Sequence, residues 1–480
     1  MKGNKASSVG CGKLLIFLLS VAFMMSATSM FAQKVLHQSD LDKAKSVFVI
    51  DDDFDLGGET ITVPKGIKIS FKGGHIENGT IIGNSTRLYI DQDKPAIGLN
   101  LIIEGKWLIK DVYDKWFDFN PEPTYKSNRI IKNILALSND DTRCHIHFDE
   151  DRIYYFELPY KGRPDIWNIV SLKTENGKSV RRYDDIYDEK FADLRIFTIP
   201  SNTHVTINNT LKMLPTRAGA YFIFWEYDKE NITIDGQGTV YGECKDHLYL
   251  RNQAGEISYS GEWGMIFLCR KCRNFVFKDI TLSDALGDCL SFGGSRYDVE
   301  SGHREGRNIT VYNVKIKFAR RNGISIGATN AIIKDCYFEG CGIDDINGTA
   351  PRAAIDFEPS YIKSYPEIGN RNVVMKNCSF KNNKYDVSST YNNLINFRRT
   401  ATTISNCIFT APIRFNATYW IKFKKCKIPS FTNWRGNIAE DTPFKHISFV
   451  KCEIDTIPSV IMTPSWHNKF GNCTIHNKVE

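Results

Sequence analysis

Five arginines, Arg320, Arg321, Arg352, Arg398 and Arg399, fall in short segments whose strand-like alternation carries them to one surface. A guanidinium is a permanently charged planar fork that pairs bidentately with carboxylate or sulfate, so such a cluster points to an anionic ligand. A single arginine at a turn more often serves solubility. Three acids, Asp288 in GDC and Asp356 with Glu358 in IDFEP, recur in the same frame, with Asn322 beside Arg321. Paired carboxylates can act as acid and base on a glycosidic bond, hold the hard cation Ca²⁺, or neutralise arginine, and residue types alone leave all three open. His247 lies in a polar excursion, Tyr241 to Ile266, that also holds Glu262 and Trp263. An imidazole transfers protons near neutrality, an indole stacks on a sugar ring and a carboxylate bonds hydroxyls. His303, in SRYDVESGHREGR, has the same standing, although a lone loop histidine is more often structural than catalytic. Cys269 and Cys272 form CRKC, but a structural zinc needs a second pair at suitable spacing. No Gly-rich phosphate loop or nucleophile elbow is present.

Positioning these side chains requires a repeated element. One short strand restarts at Asn231 (NITI), Asn274 (NFVF), Asn308 (NITV), Asn330 (NAII) and Asn372 (NVVM), at spacings of 43, 34, 22 and 42 residues. Each alternates apolar with polar residues and runs into a Gly, Asn or Asp turn, the pattern of a strand with one buried face. One rung cannot bury its own apolar side, so rungs must stack, roughly 4.8 Å apart. The expected fold is all-β: a right-handed parallel β-helix with an N-terminal helical and irregular insertion. A second strand per rung aligns by its inward residues as Leu290/Phe292, Ile324/Ile326, Ile355/Phe357 and Ile395/Phe397. That alignment makes Ser291, Ser325, Asp356 and Asn396 an outward column and sets Arg321 beside Arg352. The main solenoid is expected over 231–480. Residues 33–230 are expected to hold earlier rungs with an inserted cap at about 111–195, including a helix over Ser127 to Ser138 and a surface insertion from Pro164 to Leu194.

Residues 1–32 read as an export signal, with basic residues to Lys13, the apolar run Leu14 to Met25, and small residues up to Ala32. No later stretch is long and apolar enough to span a bilayer, so the mature chain is expected in the periplasm or outside the cell without integral membrane association. Cys11 precedes the apolar run, the wrong side for a lipoprotein acceptor. The formal charge is +7 and the pI about 8.6, a mild bias that suits an anionic partner but is too weak to indicate nucleic acid. Six of the thirteen cysteines, Cys336, Cys378, Cys407, Cys426, Cys452 and Cys473, each sit two residues before an aromatic residue or Ile. The repeated slot predicts a buried stack of thiols along the solenoid rather than a disulfide framework.

The runs ITVPKGIKISFKGGHIENGTIIGN and IPSNTHVTINNTLKMLP, GEWG at Gly261, GDCLSFGG at Gly287, and RRNGISI with GTAPRAAIDFEP between Arg320 and Pro359 resemble exported bacterial proteins of the pectate-lyase-like right-handed β-helix superfamily. The resemblance covers most of the chain beyond residue 32. It implies a polysaccharide lying across several rungs on the outer groove of one parallel sheet, and it specifies fold more closely than activity, because this fold hosts lyases, hydrolases and binding proteins. In lyases of the superfamily, Arg, Lys, His or Ca²⁺ neutralises a uronate and a basic side chain removes the C5 proton. In polygalacturonase-type hydrolases several aspartates and a His act, but here GDC replaces the paired aspartates and the Gly-His-Gly motif is missing. The leading expectation is a monomeric exported polysaccharide lyase acting on a uronate-containing glycan. Arg321 and Arg352 would neutralise the carboxylate, His247 or an arginine would accept the proton, and Arg320, Asn322, Arg398, Arg399, Glu262, Trp263 and His303 would bind substrate. The alternatives are a glycoside hydrolase using Asp288 with Asp356 or Glu358, and a non-catalytic glycan-binding solenoid.

Overall fold

The computed structural model describes residues 33–159, 194–249, 251, 253–255, 263–293, 306–358, 372–389, 402–415, 418–433 and 444–479, together with the backbone of 171–175 and 178–182. Three long sheets in which all pairing is parallel form the body of the molecule from Asp111 onward, with twelve, nine and seven strands, and smaller parallel sheets hold the strands before it. One rung shows the plan. Arg307–Tyr312 joins the twelve-stranded sheet, Lys315–Lys317 the seven-stranded sheet, and Asn322–Gly327 the nine-stranded sheet, before Thr329–Lys334 begins the next turn. Strands in consecutive turns pair in register, Ile309 with Ala331 and Ile316 with Phe338, so each side chain stands over its counterpart. This coil is the parallel β-helix expected from the repeats, and its crossovers take the right-handed sense general to parallel strands.

The corners depend on residues that tolerate left-handed backbone. Asn231, Asn274, Asn308, Asn330 and Asn372 all have φ between 55° and 58°. Their amides form a ladder in which each Nδ2 donates to the Oδ1 of the preceding rung at 2.9–3.2 Å, ending on Asn202. Asn is the side chain that both visits this region cheaply and can donate and accept along the stack. At the next corner Asp279, Asn313, Asp335, Asn377 and Asn406 also have positive φ. Behind the last three of these come Cys336, Cys378 and Cys407, and the column continues through Cys426 and Cys452 to the partly exposed Cys473. All twelve described cysteines are free thiols. The column begins with the aliphatic Ile280 and Val314, so the slot selects for size and apolarity, which a thiol satisfies.

Two expectations shift. The inward residues of the rung after Ile355/Phe357 are not Ile395 and Phe397. Val387 pairs with Ile355, and Ser388 and Ser389 pair with Asp356 and Phe357, so Ser388 takes the column position given to Asn396. Tyr-Asp-Val-Ser-Ser carries a weaker apolar signal than LINF, since Ser389 stands where the other rungs place a large apolar residue. LINF itself lies outside the described residues. The stretch 111–195 is also less of an insertion than expected. Asp111–Tyr113 and Cys144–Phe148 are the first two strands of the twelve-stranded sheet, and Ile153–Phe156 opens the seven-stranded one. Between them the expected helix forms at Asn128–Ala136. It buries Ile130, Ile131, Ile134 and Leu135, and Asn133 bonds the backbone of Ile103 and Leu101.

The ladder predicts that Asn308→Ala costs about 2 kcal/mol, combining left-handed strain with lost amide bonds, whereas Asn308→Gly, which is free of the strain, costs about 1 kcal/mol. Denaturant midpoints of the two variants measure the difference.

Candidate active site

The three sheets differ in what their outward faces meet. In the twelve- and seven-stranded sheets buried and accessible residues alternate, as in Ile309 and Val311 against Thr310. In the nine-stranded sheet Asp288–Gly293, Asn322–Gly327 and Ala353–Phe357 are buried at every position. Its inward column is Leu290, Ile324, Ile355, Val387 and Ile413. Register makes the outward column Ser291, Ser325, Asp356, Ser388 and Arg414. Polar groups are thus enclosed against this one sheet.

Arg321 is the hub of that enclosure. Its Nη1 donates to both carboxylate oxygens of Asp288, at 3.0 and 2.8 Å, its Nε donates to the Ala350 carbonyl at 3.2 Å, and its Nη2 stands 3.6 Å from Glu358. Burial pushes the Asp288 carboxyl above the usual range, and Arg321 acts to pull it back. Asn322 donates to Ser325 at 2.9 Å and accepts from the Ala353 N–H at 3.0 Å, tying two rungs together.

Asp356 is different in kind. It is completely buried, and neither carboxyl oxygen has a hydrogen-bond partner among the described residues. Burial first, then the charge of Glu358 and, less strongly, that of Asp288, push its pKa up to about 8, against opposing pulls from Arg321 and, more weakly, from the neighbouring Ser388 hydroxyl. Near neutral pH Asp356 is therefore a carboxylic acid with its proton on. Glu358, two residues on, has 47% of its side chain exposed, whereas Asp356 has none.

The remaining candidates divide. Arg352, which register sets beside Arg321, turns its guanidinium away. Its Nε donates to the Gly342 carbonyl at 2.7 Å and its Nη2 to Asp345 at 2.6 Å, so Arg321 and Arg352 do not form the expected shared clamp. A backbone φ of 62° at Arg352 accompanies that departure. Arg320 is buried, donating to the Leu286 carbonyl at 2.6 Å and to Thr349 at 3.0 Å. His247 is not on an open loop: its Nδ1 lies 3.0 Å from both Glu243 oxygens, and both side chains are fully buried. Glu243 also accepts from the Tyr221 hydroxyl at 2.9 Å, so the pair fastens the excursion to the nine-stranded sheet. Trp263, half-buried, opens the sheet strand Trp263–Arg270. Arg398, Arg399, Glu262 and His303 lie outside the described residues. The alignment missed Arg414, which lies over the Tyr385 ring at 4.0 Å and donates to the Pro351 carbonyl. Its signal was present in sequence: Ile-Arg-Phe at 413–415 repeats the Ile-Asp-Phe of 355–357.

No family model matches the chain. A Bacillus subtilis (strain 168) protein, uncharacterized protein YclG, is 30% identical over 174 residues, 36% of this chain and 29% of that protein's length. Among solved structures, a polygalacturonase from Erwinia carotovora ssp. carotovora is similar with 12% identity and a TM-score of 0.38, covering 74% of this chain and 92% of that one. PfbA, a surface adhesin of Streptococcus pneumoniae, is similar with 10% identity and a TM-score of 0.38, covering 92% and 88%.

In an unfolded chain an aspartate ionises near 4. Between there and about 8 the folded chain keeps a proton on Asp356 that the unfolded chain has released, so rising pH lowers stability across that window. Asp356→Asn removes this dependence. The variant is expected to gain stability over the parent as pH rises from 5 to 8, read from denaturation midpoints at the two pH values. The coil of parallel sheets that carries this site is a parallel β-helix, and that is the fold of this chain.

Proposed function

We propose that the chain is an exported carbohydrate-active enzyme that cleaves an acidic polysaccharide at the nine-stranded sheet by acid-assisted glycoside hydrolysis. The observation that carries the reading is Asp356, a completely buried carboxyl whose pKa is pushed up to about 8, so that it holds its proton near neutrality. A glycosidic oxygen leaves only when protonated, and a carboxylic acid raised into the neutral range is suited to supply that proton. Glu358, solvent-accessible and on the same side, is placed to act on the anomeric carbon directly or through water. Asp288 does not touch substrate in this reading; it holds Arg321, which in turn faces Glu358. The formal charge of +7 fits an anionic glycan, and the apolar run Leu14 to Met25 supports export to the periplasm or beyond. No helix among the described residues is long and apolar enough to cross a membrane.

The β-elimination reading needs a cation free to neutralise a uronate. Arg321 is compensated by Asp288 and Glu358, and Arg352 by Asp345, so the two arginines assigned to that task are already paired with carboxylates. Hydrolysis is therefore the stronger reading of the two.

Incubated with a panel of acidic glycans, the protein is expected to generate new reducing ends without the ultraviolet absorbance of an unsaturated uronate. Asp356→Asn should lower kcat by about 100-fold or more, and the parent's kcat should fall as pH rises past about 8, where the acid loses its proton. Unsaturated product from a fully active Asp356→Asn variant would replace hydrolysis with elimination. Binding with no change in glycan length would make the protein a glycan-binding solenoid.

A further inference from the structure

The outward face at the start of the twelve-stranded sheet carries a second constellation, on a different sheet from Asp356. Strand Cys144–Phe148 projects His145 and His147 outward, two residues apart. On one side register sets Asp111 beside His145 and Tyr113 beside His147; on the other it sets His204 and Thr206 beside the same two histidines. One donor atom from each of Asp111, His145 and His147 lies within 4.8 Å of the other two. The rings are in contact, with centroids 3.7 Å apart for His145–His147 and 3.9 Å for His145–His204.

The surrounding hydrogen bonds orient these rings as ligands need to be oriented. His147 Nε2 stands 3.4 Å from an Asp111 oxygen, while its Nδ1 stands 3.5 Å from Asp149. A proton on Nδ1 directed at Asp149 leaves the Nε2 lone pair facing the same point as Asp111. Thr206 donates to Asp235 at 2.7 Å, so its oxygen accepts from His145 Nε2 at 2.8 Å and leaves the other nitrogen of that ring with its lone pair. Asp235 also lies 2.9 Å from His204 Nε2. Carboxylates behind ligating histidines fix tautomer and ring orientation in metal sites, and here Asp149 occupies that place for His147, while Asp235 acts on His145 only through Thr206. A cavity of about 600 Å³ opens beside the cluster, with Lys110 and Arg143 among its lining residues.

We propose that Asp111, His145 and His147 bind a divalent ion of the zinc class. Two imidazoles and one carboxylate suit Zn²⁺, Co²⁺, Ni²⁺ or Cu²⁺, whereas Ca²⁺ and Mg²⁺ take oxygen ligands. Three protein ligands leave a tetrahedral ion one open position. Lys110 and Arg143 make an anion the ligand suited to it.

The test is titration of the purified full chain with Co²⁺, whose visible bands report coordination and whose thiolate charge-transfer band separately reports cysteine ligation. The expected result is one ion per chain with nitrogen and oxygen ligation and no thiolate band, displaced by Zn²⁺. His147→Ala and Asp111→Asn should each weaken Zn²⁺ binding by about 10-fold or more, with unchanged circular dichroism. His476→Ala, which alters the separate cluster Glu453, Asp455 and His476, should leave affinity unchanged. Absence of binding, a thiolate band, insensitivity to both substitutions at the proposed site, or loss on changing His476 would each overturn the assignment.

Discussion

Backbone hydrogen bonding between consecutive turns is the constraint on which the rest depends. Because strands pair in parallel and in register, each residue has its positional counterpart about 4.8 Å above and below it. Like therefore stands on like, and any column must be made of groups that tolerate their own kind. Apolar columns satisfy this by burial, as Leu290, Ile324, Ile355 and Val387 do. The asparagine column satisfies it because an amide both donates and accepts. A column of like charge does not, and the outward row against the nine-stranded sheet accordingly mixes hydroxyls with one acid and one arginine.

The same constraint decides what could be read in the sequence. Period and register are backbone properties, so the Asn-initiated strands, the thiol slot and the pairings Ser291–Ser325–Asp356 followed from residue order alone. The frame failed one rung later, where Val387 is followed at the next inward position by Ser389 instead of an aromatic or branched residue, and LINF offered a better apolar match nearby. That slip hid Arg414. Side-chain direction was a further step beyond reach: register sets Arg321 and Arg352 side by side, yet positive φ at Arg352 and the acceptors on Gly342 and Asp345 turn one away from the other. His145 and His147 went unnoticed because their strand was assigned to an insertion, which removed the outward alternation that would have given them a common face.

Loops can vary in length in such a fold because the left-handed residues close each corner locally. Spacings from 22 to 43 residues between successive asparagines leave the ladder unbroken. Polar clusters can then be placed on any face without disturbing the stack. The enclosed polar row on the nine-stranded sheet and the histidine cluster on the twelve-stranded sheet are two such placements. The first belongs to adjacent rungs late in the chain, and the second to the early rungs.

Asp356 is best understood against this background of satisfied groups. An unpaired buried carboxyl costs a protein stability, even when it sheds its charge by holding a proton. Its neighbours show that a remedy was chemically available: Ser325 occupies the same row, and Ser388, whose hydroxyl is also unpartnered among the described residues, stands directly alongside. Asp386, one rung on, is equally buried but accepts from Asn383 and from the Thr410 and Ala411 N–H groups. Two aspartates on neighbouring rungs thus meet opposite fates, one woven into a turn and the other enclosed against the sheet. Rungs stacked on either side can carry the local cost, since their apolar columns and backbone ladder continue unbroken past it.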